Sequence, residues 1–235
     1  MHRSRIAKRI ARKTIRMIGV FIILAINAIL LWRVFTAGDP AAMKTLLADA
    51  STKAAYERCQ AAGEEFPVLY QRFEPTTTQS DRYSYFSVTR AYFLPESGQA
   101  QLVFRYSNAM LKWLAEDYGL AEVPGRDEDL FDVSLLIEYD DGEGGVRTER
   151  YLPEKTVRDT KLRYNYRQML FGGLTCFDGT DFDESVLRVR VCIYYNEDLD
   201  YDAEPYGSLQ IYQKGINTRT YEVSRRDRKA ILAAS

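Results

Sequence analysis

The sixteen residues from Met17 to Trp32, MIGVFIILAINAILLW, carry no charge, and no polar stripe runs along them. As an α-helix they would extend about 24 Å. Continued through Val34 and Phe35 to Gly38, with Arg33 snorkelling toward the head groups, the run reaches 22 residues and a single charge, the length a bilayer core of about 30 Å requires. Trp32 would then lie at interface depth. Arg3, Arg5, Lys8, Arg9, Arg12, Lys13 and Arg16 precede the run without one acid, a bias that keeps the N-terminus cytoplasmic and sends the rest of the chain across. A cleaved signal peptide shares this plan, but it needs small residues at the first and third positions before the cut. Ala37 is paired with Phe35, Ala41 with Asp39 and Ala42 with Pro40, so an uncleaved single-pass signal-anchor over residues 17–38 is the favoured reading.

The net charge of −1 hides an asymmetry. Eight of the 32 basic residues precede Asp39, which leaves 24 against all 33 acids and makes residues 39–235 acidic by −9. Such a surface argues against nucleic acid as a partner. The three cysteines, Cys59, Cys176 and Cys192, do not make a disulfide framework, although Cys176 with Cys192 is close enough in sequence for one bridge.

Residues 41–62 read as a helix stopped by Gly63, and 64–80 as a linker or irregular first strand, together a juxtamembrane segment over 39–80. From residue 81 a two-residue period recurs, the mark of half-buried strands. Phe86, Val88, Tyr92 and Leu94 pair with Leu102, Phe104 and Tyr106 in a first hairpin. A helix capped by Asn108 and closed by Gly119 follows, with Leu111 and Leu114 inward and Trp113 plugging one end of the core. Phe131 to Tyr139 and Val146 to Leu152 form the clearest hairpin. Two short strands are expected between Pro153 and Asp178, with Leu162, Tyr164 and Tyr166 in the apolar phase. Leu187 to Tyr195 is a further strand, and Ser208 to Lys214 with Thr218 to Val223 a last hairpin. The expected fold is mainly β: one N-terminal transmembrane helix, then an antiparallel β-sandwich of immunoglobulin-like type over 81–224 with one or two short helices. A basic, frayed tail over 225–235 would end the chain.

Histidine, the commonest general base, occurs once, at His2 on the basic arm, which removes His-dependent triads and His-ligated metals from the rest. No G-x-S-x-G elbow, Walker loop or C-x-x-C is present. In the acidic stretch 196–204, Asp198, Asp200 and Asp202 recur every second residue, as calcium ligands do in loops. Ala203 and Leu209 stand where an EF-hand needs glycine and glutamate, so only a looser calcium site is open to them. Tyr195, Tyr201 and Tyr206 flank that stretch and are candidates for a binding surface. The pattern points to a non-catalytic binding or structural module of the cell envelope, tethered by residues 17–38 and recognising an envelope protein or wall polymer. The alternatives are an envelope hydrolase working through two carboxylates and a calcium-stabilised surface domain.

Overall fold

A computed structural model describes residues 2–37, 39–72, 86–126, 128–161, 163–196, 199–215 and 218–235, and within helix α1 the side chains of Thr14 and of residues 16–32. The chain divides into two compact units, residues 1–38 and 39–235. The first is α1, His2–Ala37. Its large apolar side chains from Met17 to Trp32 are exposed, Phe21 by 75%. Asn27 donates its Nδ2 to the carbonyl of Ile23 at 2.8 Å, so its amide nitrogen has a partner inside the helix. Among the described residues no helix is long and apolar enough to cross a membrane; the seventeen from Arg16 to Trp32 would make about 26 Å of helix.

The second unit is mainly β with antiparallel sheets. Its strands are β1 (Leu69–Arg72), β2 (Phe86–Leu94), β3 (Gln99–Ser107), β4 (Phe131–Asp140), β5 (Val146–Tyr151), β6 (Lys155–Lys161), β7 (Tyr164–Phe171), β8 (Phe177–Asp178), β9 (Asp181–Phe182), β10 (Val186–Tyr195), β11 (Gly207–Gln213) and β12 (Arg219–Thr220). Three helices accompany them: α2 (Ala50–Ala62), α3 (Asn108–Asp117) and α4 (Arg225–Leu232). A six-stranded sheet runs β12-β1-β2-β3-β7-β6, a four-stranded sheet β11-β10-β4-β5, and β8-β9 is a small hairpin. One buried cluster joins the larger sheets, with Phe86, Leu102, Phe104, Met169 and Phe171 from the first and Val133, Leu135, Ile137, Val191 and Ile193 from the second. The arrangement is sandwich-like. Rings meet edge-on across it, as in Phe86 with Phe131 at 5.2 Å, a geometry that aromatic quadrupoles favour.

The other face of the six-stranded sheet is also buried, and three expectations fail along with this. Tyr92, Leu94 and Val68 pack with Leu46, Ala55, Tyr56, Cys59, Phe66 and Ile231 in a second cluster, so α2 and α4 form a layer over the sheet. Of the two readings of residues 64–80, the first strand is the one found: β1 lies between β12 and β2; residues 73–80 are outside those described. Arg225–Leu232 is a helix in place of a frayed tail, so that the second unit has three α-helices among the described residues where one or two are expected. Ser224 and Asp227 make its capping box, and Asp227 at 0% exposure accepts from the Leu46 amide at 2.8 Å and the Tyr221 hydroxyl at 2.9 Å. The last hairpin does not form either: β11 joins β10 while β12 joins β1 in the other sheet.

Gln99, Gln101 and Gln168 stand on this covered face at 1% exposure each. Buried amides need partners, and an extended segment supplies most of them, Gln168 Oε1 alone of the three amide oxygens having no partner among the described residues. Gln101 donates to the Leu47 carbonyl at 2.6 Å and accepts from the Leu47 amide at 2.8 Å, as a neighbouring strand would. Gln168 donates to the Thr45 carbonyl at 2.7 Å. Gln99 bonds Asp49 and Thr52 at 2.8 and 2.7 Å, and those two residues form the capping box of α2. Residues 45–49 are therefore a strap laid on the sheet by side-chain amides, and the helix expected over 41–62 is α2, which begins only at Ala50.

Smaller differences have local causes. The N-cap of α3 is Ser107, not Asn108, while Gly119 at φ 61° closes the helix as expected, with Leu120 bonding back to Ala115 at 2.9 Å. Trp113 is 45% exposed and does not plug the core. Cys59, Cys176 and Cys192 are free and buried; Cys176 belongs to the shared core while Cys192 is absent from it, because alternation turns it outward from β10. Burial pushes the Cys176 thiol up to about 12, which makes it unreactive.

Replacing Gln101 by Ala leaves the Leu47 amide and carbonyl without their partners inside a packed layer. We expect Gln101→Ala to lose about 2 kcal/mol of stability, measured by urea unfolding; a loss within the scatter of repeated measurements would contradict the strap's role.

Candidate functional site

Where β6 and β7 face β4, the two sheets leave a cleft of about 400 Å³. Its lining is apolar at Phe131, Val133 and Met169 and charged at Asp129, Asp132, Arg158 and Arg167. Residues Asn165, Arg167, Met169 and Phe171 alternate along β7 with Tyr164, Tyr166 and Gln168, and the first set faces the shared core. Arg167 is thereby placed in phase with apolar residues, its side chain only 7% exposed. A guanidinium so desolvated needs an acceptor for each donor. Arg167 Nη1 donates to the Phe131 carbonyl at 2.7 Å, and Nη2 meets the Asp129 carboxylate at 2.7 Å.

Arg158 binds the other oxygen of Asp129, so one carboxylate bridges two arginines that are direct cross-strand partners. The backbone of the Asp129 segment is held from the other side. Asn196, just past β10, donates its side chain to the Asp129 carbonyl and its amide to the Leu130 carbonyl at 3.0 Å.

A smaller hollow of about 90 Å³ adjoins, sharing Arg158 and Arg167 as walls and lined also by Tyr106, Thr160 and Asn165. Asn165 is 3% exposed. Its Nδ2 donates to Asn108 at 3.0 Å, whereas its Oδ1 has no hydrogen-bond partner among the described residues. Burial raises the Tyr106 phenol, and the neighbouring Arg167 acts against that shift.

The residues picked out in the sequence lie elsewhere. Asp198 is outside the described residues. Asp200 and Asp202 are exposed and form a turn, the Asp202 amide donating to Asp200 Oδ1 at 2.9 Å. Among the described residues no group of three or more His, Cys, Asp or Glu side chains could hold a metal ion. Tyr195 is a core residue at 3% exposure with its ring 4.3 Å from Tyr118, because it continues the inward phase of Val191 and Ile193. Tyr206 is half-buried against Phe86 and donates to Asp117 at 2.8 Å. Tyr201 bonds Asp132 and lies against Arg150, whose guanidinium also reaches Tyr194 at 2.9 Å and the Tyr201 carbonyl at 2.9 Å. These tyrosines fasten the 199–206 loop to the four-stranded sheet and its neighbours; none projects freely as a recognition anchor.

No protein family model, no curated protein and no solved structure matches the chain.

Nine tyrosines, at 92, 106, 139, 151, 166, 194, 201, 212 and 221, have phenols raised above the ordinary value, burial being the first cause in each and carrying Tyr201 to about 12. Raised acids bind protons more tightly in the fold than in the unfolded chain. Stability is therefore full below pH of about 10 and falls as the pH rises above it, where unfolded tyrosines ionise first. Absorbance at the phenolate band should show these nine titrating only together with unfolding; nine ordinary titrations in a folded chain would contradict their burial.

Proposed function

We propose that this is a single-pass membrane protein with a cytoplasmic N-terminus, whose second unit is an extracytoplasmic immunoglobulin-like sandwich acting as a non-catalytic binding module of the cell envelope. One observation carries the reading. Twelve large apolar side chains between Met17 and Trp32 are exposed on a single continuous helix, a surface that water does not tolerate and lipid does. In the sequence the apolar run goes on through Val34, Phe35 and Ala37, interrupted by the single charge of Arg33, which supplies the length that the described seventeen residues lack. The seven basic residues before it fix orientation, and the −9 of residues 39–235 suits neither nucleic acid nor an anionic lipid surface.

A binding role is supported by the chemistry of the cleft. Asp129 is ion-paired to two arginines and Asp132 accepts from Tyr201, so each carboxylate is committed as an acceptor, whereas carboxylate-pair hydrolysis needs one of the two as a proton donor. The partner class that fits is an envelope protein or wall polymer reached by the cleft between the sheets.

Full-length protein is expected to stay with the membrane through an alkaline carbonate wash, and a chain lacking residues 2–38 to be released. A reporter that works only outside the cytoplasm should be active when fused after Ser235. Release of the full-length chain, or activity solely of a cytoplasm-requiring reporter, would sink the proposal.

A further inference from the structure

Arg158 and Arg167 stand directly opposite each other in the β6-β7 register, an arrangement that repels unless an anion lies between them. The anion present is the Asp129 carboxylate, half exposed at 48% and carried by a segment outside the strands. Beside the same arginines, the buried Asn165 Oδ1 is an acceptor with no donor among the described residues. The pair of arginines accepts a carboxylate, Asn165 accepts a hydrogen bond, and two adjoining hollows leave room for both.

We propose that this cleft is a carboxylate-binding site in which Asp129 is the resident stand-in. Its ligand carries a carboxylate with a hydrogen-bond donor next to it, the chemistry shared by a 2-hydroxy acid and a peptide C-terminus. The incoming carboxylate takes the forked contacts to Arg158 and Arg167, the Asp129 side chain turns out to solvent on a backbone that Asn196 keeps in place, and the neighbouring O–H or N–H donates to Asn165. No covalent bond changes. The proposal rests on reading the second unit as a binding module and names the ligand class of that site.

The test uses full-length protein in detergent micelles, with the arginine Nε–H resonances followed by NMR at constant ionic strength. The probes are lactate, acetate, trialanine and trialanine amide, with chloride as the control anion. Saturable shifts at Arg158 and Arg167 are expected with lactate, weaker ones with acetate, and none with chloride. Trialanine binding more tightly than lactate, and losing that binding as the amide, would assign a peptide C-terminus; the reverse order would assign a free hydroxy acid. Asp129→Asn should tighten binding about tenfold and Arg158→Gln weaken it about tenfold, each with an otherwise unchanged amide spectrum. No saturable response in the wild-type chain to lactate or to trialanine overturns the site, whatever Asp129→Asn does. Micelle titration is indifferent to topology, so its failure and the failure of membrane retention are separate results.

Discussion

Strands β2, β3 and β7 are buried on both faces, and the rest of the second unit follows from that constraint. One face is apolar and closes against the four-stranded sheet. The other carries Ser87, Gln99, Gln101, Arg105 and Gln168, all almost inaccessible. Polar groups taken out of water must be answered by polar groups. The answer is partly main chain and partly side chain: residues 45–47 present carbonyls and an amide to Gln101 and Gln168, Asp49 and Thr52 meet Gln99, Arg105 donates to Ser87, and Asp227 receives the amide of Leu46. The strap, α2 and α4 are held to the sheet by this exchange and by the apolar cluster around Tyr92 and Ile231.

The cleft arises at the margin of the same construction. Along β7 the inward phase passes from Phe171 and Met169, deep in the shared core, to Arg167 and Asn165 near the open end. A charged residue in an apolar phase must find its own counter-charge, and Asp129 meets Arg167 and Arg158 together. Since β6 is an edge strand with exposed residues, Arg158 remains reachable from solvent while Arg167 does not. One deep and one accessible guanidinium share a single carboxylate, which gives the cleft both a fixed anchor and an entry.

Much of the β architecture was legible because alternation of apolar residues is a direct image of a half-buried strand. Phe131 to Tyr139 and Val189 to Tyr195 are read correctly from it. The method fails where its premise fails. The residues of β6, KTVRDTK, show no apolar period because both faces of an edge strand are largely wet. In β7 two phases compete: Tyr164 and Tyr166 suggest one core face, yet that face lies beside Met43 and Val103 under the strap, and Arg167 belongs to the true core. An arginine spaced two residues from Met169 and four from Phe171 was the available signal for the site. The pairing of β12 with β1 left no local trace, because that register joins residues about 150 apart in sequence. Asp129 was one of 33 acids, and nothing in its neighbours separates it from the rest.

Native-state hydrogen exchange would decide most directly whether strap and sheet are one cooperative layer. We expect the amides of Leu46 and Leu47 to exchange with the same free energy and the same denaturant dependence as those of β3, since they open only when the sheet does. Exchange of these two amides at rates near those of a free peptide, with β3 still protected, would show that the strap is a passive overlay and would contradict the two-faced core as the basis of the fold.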